Sequence, residues 1–239
     1  RGLGDVYKRQ MVDRYSLIKV ESISDFLLDD KNNLTPIYNA SPTFELPIID
    51  LNLKRITQTL WGSSSYLSKN KSLAKRLVNL EVSKIKKSNI LLNQFKFNRC
   101  LIPCDGFFFW KRINQKEKTP YYFSFQKDKL MYCVGIKEKY EDLSGDSFYY
   151  FSFVTSQSDN KWRKFTNQIP MFFDTRYLDI WFDKTSTFKK LNSFINPLRF
   201  EDFNNFSISP YFENMTIDDR RVVEPKNNLN QYGNYSLFD

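Results

Sequence analysis

The sequence predicts an α+β protein folded as one compact domain. Three observations carry that reading. Between Arg99 and Thr155, four aromatic-rich apolar runs are separated by short polar turns, the pattern of neighbouring strands. Segments with helical spacing of leucine and lysine flank that block. No Pro/Gly linker, internal repeat or heptad run divides the 239 residues, and 41% apolar with 17% aromatic residues suffice for a sizeable core.

Taken in order, RGLGDVYKRQ (1–10) ends in DVYKRQ, which resembles the in-frame translation of a sequencing adapter and is set aside from fold reasoning. Lys69 to Asn93 places Leu73, Leu77, Leu80 and Lys84 at helical spacing, so an exposed helix followed by a second short one is expected. Four strand runs follow: LIPCDGFFFW (101–110, turned at Asp105-Gly106), TPYYFSFQ (119–126), LMYCVGIKE (130–138) and SFYYFSFVT (147–155). Tyr177–Phe182 and Phe188–Phe194 read as two further helices. The polar stretch NNLNQYGNYSLFD reads as a flexible tail, which puts the domain over 11–225 and the tail over 226–239.

Composition restricts the chemistry. The chain has no histidine, so a Ser-His or Cys-His nucleophile pair, a histidine general base and a histidine metal ligand are all excluded. Acid–base work would fall to carboxylates, lysines, tyrosines or a thiol. Seven glycines, with neither GxxxxGK[ST] nor GxGxxG, argue against a phosphate-cradling loop. Cys100, Cys104 and Cys133 match neither a disulfide framework nor a zinc pattern, and they read as reduced and structural. No cofactor is implied. No apolar run is long enough to span a bilayer and no signal-peptide core is present, so a cytoplasmic chain without a membrane partner is expected. The formal charge is +9; Arg1, Lys8 and Arg9 against Asp5 place +2 in the first ten residues and leave +7 from Met11. Such an excess favours anionic partners, nucleic acid first, or is plain solvated surface.

Eleven short motifs then run in a recognisable order: MVDRYS (11–16), YNASPT (38–43), WG (61–62), VN (78–79), RCLIPCDGFFFW (99–110), PYYF (120–123), YCVGIKEKY (132–140), FVTSQSDN (153–160), FTNQIPMFF (165–173), WFD (181–183) and SISP (207–210). In that order and spacing the chain resembles the SRAP domain family, the SOS-response-associated peptidase-like or abasic-site processing proteins. The resemblance implies a mostly β, barrel-like core of mixed and antiparallel strands with peripheral helices, acting as a monomer on single-stranded DNA. It also implies a chemistry in which a cysteine after the initiator methionine traps a ring-opened abasic sugar through its α-amine and thiol. A glutamate of a DGFYEW-like motif and a histidine of an HxRMP-like motif assist, and an asparagine of an NAR-like motif positions the sugar.

Carried onto this sequence, the resemblance assigns those three chemical roles to Val12, Phe109 and Thr166, none of which can perform them. Glu81 stands for the arginine of the NAR-like motif and Gln168 for that of the HxRMP-like motif. Arg14 and Asn79 match the family, and Pro42, Trp61, Phe107, Trp110, Thr155, Asn160 and Pro170 fall at its groove or core positions. A nucleoid-associated protein that binds single-stranded or abasic DNA without cross-linking is the first expectation. An enzyme using a substitute amine or the Cys104 thiol is a second, Cys104 reading equally as a small buried residue. A third is a sliding-clamp-associated module, in which Tyr235, Ser236, Leu237 and Phe238 of the tail place apolar anchors on the clamp; the same residues also read as a frayed terminus.

Overall fold

The computed structural model describes residues 12–23, 34–62, 78–114, 117–126, 130–141, 145 and 147–226. The adapter-like segment and the tail residues Tyr235, Ser236, Leu237 and Phe238 lie outside them, as do residues 69–77 of the expected first helix. Thirteen strands are described: β1 (Tyr15–Leu17), β2 (Ile37–Ala40), β3 (Glu45–Asp50), β4 (Ile56–Trp61), β5 (Asn79–Glu81), β6 (Arg99–Cys104), β7 (Gly106–Arg112), β8 (Lys118–Phe125), β9 (Met131–Glu141), β10 (Ser147–Gln157), β11 (Gln168–Phe173), β12 (Ile195–Pro197) and β13 (Phe203–Ser207). Four short helices accompany them: α1 (Val82–Lys86), α2 (Asn89–Asn98), α3 (Leu178–Phe182) and α4 (Phe188–Asn192).

Strands β9, β6, β3, β4 and β10 pair in turn, and β10 closes back on β9, so five strands form a ring. The closing step, β4 to β10, is the parallel one. Closure leaves no open edge within the ring. The second half of β10 extends past it and pairs with β5 on one side and β11 on the other. A second sheet, in the order β13-β8-β7-β1-β2, covers the ring.

Alternation along β7 explains why three consecutive phenylalanines are all buried. Phe107 and Phe109 face the ring and join Phe123, Phe153, Trp162 and Phe203 in the main core. Phe108 faces the opposite way and packs with Tyr122, Ile208, Phe212 and Val222 beneath the C-terminal turns. The sheet is therefore apolar on both faces, and period-two alternation leaves no polar side.

Two local expectations change. Asp105-Gly106 is not the turn of a hairpin: β6 pairs with β3 and β9 in the ring, whereas β7 pairs with β1 and β8 in the covering sheet. At Asp105 the chain passes from one sheet to the other. Leu80, expected on a helix, lies in β5 opposite Val154, because pairing with the buried second half of β10 outweighs helical spacing over three residues. Val78 just before the strand is helical, and helix resumes at α1 and α2, with Ser88 Oγ accepting the Leu91 amide at the start of α2.

The sheet-switching residue is also an anchor. Buried Asp105 accepts the Ser16 hydroxyl at 2.5 Å and the amides of Ile18 and Lys19 at 2.6 and 2.8 Å. Ser16 Oγ also lies 2.8 Å from Tyr122 Oη. Gly106 is required beside it, since a Cβ there would come within 2.3 Å of that tyrosine oxygen. Asp105→Asn keeps the shape but turns an NH2 group toward one set of donors. We expect it to lower stability by about 1–3 kcal/mol, the range for losing a charge-assisted buried acceptor, read as a shift of the urea midpoint at unchanged slope.

Candidate functional site

The N-terminal strand leads to the site. Tyr15 opposes Ala40 on β2 and Phe107 on β7. Continuing both registers sets Val12–Arg14 beside Ser41–Thr43 on one side and Phe108–Trp110 on the other, and the Phe108 amide donates to the Arg14 carbonyl at 3.3 Å. Ser41–Thr43 form a tight turn in which Thr43 takes a left-handed conformation, φ 76°. That is costly for a β-branched residue, and it is held by the Thr43 amide on the Trp61 carbonyl and the Trp61 amide on the Phe44 carbonyl.

Val12 is fully buried, and its carbonyl accepts Asn79 Nδ2 at 2.7 Å. Asn79 comes from β5, opposite Phe153 on β10. The next pair along, Glu81 and Thr155, and then Pro170 on β11, complete a row across three strands. The motif positions from the two ends of the chain therefore meet on one floor.

Each position assigned to the chemistry is occupied by a group serving the fold. Phe109 is 2% exposed and lies edge-on to Phe123 and Trp162, with ring centres 5.6 and 5.8 Å away. Thr166 is buried, and its Oγ1 donates to the Gln168 carbonyl at 2.8 Å and accepts the Gln168 amide. Gln168 Oε1 in turn accepts the Thr155 hydroxyl at 3.3 Å. Glu81 Oε1 accepts the Ser83 hydroxyl at 2.7 Å. Trp61 and Phe107 have no exposed surface on which a base could stack, because they form the wall behind the site. Trp110 is half-buried, with the Lys118 ammonium 3.7 Å over its ring. Pro42 is half-buried in the Thr43 turn, Pro170 is buried, and Asn160 stands exposed on the loop after β10.

Cys104 sits on the ring, fully buried, its Sγ 3.5 Å from that of Cys133. Burial, then the neighbouring Cys133 thiol, pushes its thiol well above the usual range, and burial does the same to Cys100. These surroundings oppose the thiolate that nucleophilic work needs. Among the described residues, no three metal-ligating side chains come together, and no helix is long and apolar enough to cross a membrane.

Two polar atoms on the floor remain unused. Arg14 Nε and Asn79 Oδ1 are buried and have no hydrogen-bond partner among the described residues. Arg14 donates through its Nη1 to the Asp13 carbonyl, and burial draws its guanidinium below the ordinary range against the opposing pull of Asp13. The hydroxyls of Ser156 and Ser158, at the end of β10, are buried and unpartnered in the same sense. Sequence reasoning missed both serines and also Arg163. Arg163 Nε is fixed on the Ser158 carbonyl at 3.2 Å, and its nearest side-chain partner is the neutral amide of Asn160. The KWRK run (161–164) was the available signal for the arginine; no pattern marks the serines.

Two measurements test this description. Native protein at pH 8 should leave all three cysteines unmodified by iodoacetamide, and denatured protein should take up three adducts by intact mass. Early uptake at Cys104 alone would contradict its burial. Phe109→Glu puts a carboxyl among Phe107, Phe123 and Trp162; we expect it to cost about 3–5 kcal/mol, an aromatic truncation combined with a buried polar group, seen in urea unfolding.

Comparison with known proteins places the fold and the family. Bacillus subtilis YoaM, named an abasic site processing protein, is 21% identical over 92% of this chain and the whole of its own length. YoqW of the same organism, with the same description, is 22% identical over 89% of this chain and 91% of its own. A crystal structure of a Bacteroides thetaiotaomicron protein superposes with a TM-score of 0.69 at 18% identity, covering 92% of this chain and 99% of that one, which establishes the shared fold. The family model described as SOS response associated peptidase (SRAP) matches residues 9–215, and the chain belongs to the SRAP family.

Proposed function

We propose that this chain is a DNA-damage-response protein that holds single-stranded DNA at abasic sites without linking to it covalently. The observation that carries the reading is the pair of unused buried atoms, Arg14 Nε and Asn79 Oδ1, on a floor whose acid–base positions are Phe109 and Thr166. Buried polar atoms are nearly always satisfied, so an unpartnered donor and an unpartnered acceptor on residues tied to the same N-terminal segment mark a place for a ligand's own polar groups. An abasic sugar supplies both kinds: hydroxyls for the asparagine oxygen and phosphate oxygens for the guanidinium. The names of the curated relatives support the same substrate class.

The chemistry is absent for separate reasons at each position. Valine has no thiol to close a ring on an imine. Phenylalanine and a backbone-bonded threonine neither take nor give a proton near neutral pH. Glu81 and Gln168 remove two cations from the phosphate side, so affinity rests on Arg14, Arg163 and groups farther out.

The test uses the full chain and the chain beginning at Met11. Each is incubated with single-stranded DNA carrying one abasic site, with and without borohydride, and run on denaturing gels beside fluorescence anisotropy at two salt concentrations. Salt-weakened binding that prefers the abasic strand, with no adduct in either lane, is the expected result. Arg14→Ala should weaken it about tenfold, the range for a buried charge-assisted contact. A stable adduct without borohydride, an imine trapped only with it, or no binding at all would each overturn the proposal.

A further inference from the structure

Seven lysines of this chain lie in two acid-free segments. Residues 82–98, which span α1 and α2, contain Lys84, Lys86, Lys87 and Lys96 and no acid. Residues 184–192, which lead into and form α4, contain Lys184, Lys189 and Lys190 and again no acid. From Met11 onward the chain has 33 Lys and Arg against 26 Asp and Glu; with these seven lysines set aside the two are equal, 26 and 26. These two segments thus carry seven positive charges and no negative one, as many as the net excess of that stretch. Among the described residues, no ion pair uses any of the seven.

The two segments face each other across an open cleft of about 530 Å³, lined by Lys86, Asn89, Asn93 and Lys96 on one side and Thr187, Phe188 and Lys189 on the other. Asn89, Asn93 and Lys96 fall at i, i+4 and i+7, one face of α2. The neighbouring face of the same helix carries exposed Ile90 and Phe97, and the Lys96 ammonium stands 5.0 Å over the Phe97 ring. A cationic track with an aromatic beside it is the arrangement that takes a single strand: phosphates follow the cations and a base stacks on the ring. The cleft is joined to the site by a short path. Seven residues separate Asn79 from Lys86, so their Cα atoms are no more than ~25 Å apart.

We propose that this lysine-lined cleft between α2 and α4 binds the sugar–phosphate backbone of single-stranded DNA away from the Val12–Asn79 floor. The inference rests on the DNA-binding reading above and adds a second contact zone to it. It accounts for how a chain with Glu81 and Gln168 at two cation positions of its floor keeps affinity for a polyanion.

The test places Lys86→Glu, Lys96→Glu and Lys189→Glu together in the full chain, with a second triple variant to glutamine, and compares them with Asn79→Ala. Thermal melts confirm that the exposed substitutions leave the fold intact. With a 20-nucleotide single strand, the glutamate variant should lose at least about tenfold in affinity at low salt. The slope of log affinity against log salt should fall by about 2, as three lost phosphate contacts at ~0.7 each require. The glutamine variant should lose the same slope with a smaller drop in affinity. Asn79→Ala should instead lose the preference for an abasic over an intact strand and keep the slope. If wild-type protein binds DNA and the triple variants match it, the cleft proposal fails while the abasic-site reading stands. If wild-type protein binds no DNA, both fail. Binding to phosphatidylserine vesicles that the glutamate variant loses while retaining DNA would overturn the proposal in favour of a lipid headgroup.

Discussion

The site exists because a buried carboxylate ties the N-terminal strand to the point where the chain changes sheets. β1 is only three residues long, too short to hold its place by ladder hydrogen bonds alone. Asp105 takes the Ser16 hydroxyl and the amides of Ile18 and Lys19, where the chain crosses from ring to covering sheet between β6 and β7. With that end fixed, register alone carries Val12–Arg14 in between the Thr43 turn and β7, where Asn79 from the other sheet closes on the Val12 carbonyl. Everything on the floor is therefore referred to one anion, and Gly106 is needed because Tyr122, which completes the network, occupies the space of its Cβ.

The same geometry explains why the aromatic core could spread into a reaction site. Position 109 faces inward with 107, between Phe123 and Trp162. A carboxylate there must have a partner or stay protonated; a phenyl ring needs neither and adds about 1.5–3 kcal/mol of burial. Thr166 shows the polar counterpart, a side chain turned back onto its own loop at Gln168, where it holds the start of β11 and faces no ligand. Arg14 Nε and Asn79 Oδ1 differ, since neither atom has a hydrogen-bond partner among the described residues.

The sequence made the architecture legible where pattern and burial coincide. β8, β9 and β10 sit where alternation and turn clusters place them, and the motif order identified the family. It failed where one local pattern serves two topologies. A polar bend between apolar runs reads alike for a hairpin and for a change of sheet, so the role of Asp105 was hidden. Leu80 fits a helical stripe, and only its partner Val154, far along the chain, makes it a strand residue. Trp61 and Phe107 were recognisable by motif but not by exposure, because aromatic residues line grooves and fill cores equally well. Ser156, Ser158 and the Arg163 anchor gain meaning only from what surrounds them in three dimensions.

Charge placement connects these points. The Glu81 carboxylate on the floor lowers the local attraction for anions, yet the chain from Met11 is strongly basic. Long-range attraction depends on total charge and its asymmetry, whereas recognition of a missing base depends on a few aligned polar atoms. The two demands need not share residues. Here the lysines lie along α1, α2 and α4, and the directional groups, Arg14 Nε and Asn79 Oδ1, lie on the floor. β5 is the mechanical link, since Asn79 begins it and α1 leaves directly from its end. Any ligand held at the helices would therefore sit within one short strand of the floor, which raises the effective concentration of a second, weaker contact there.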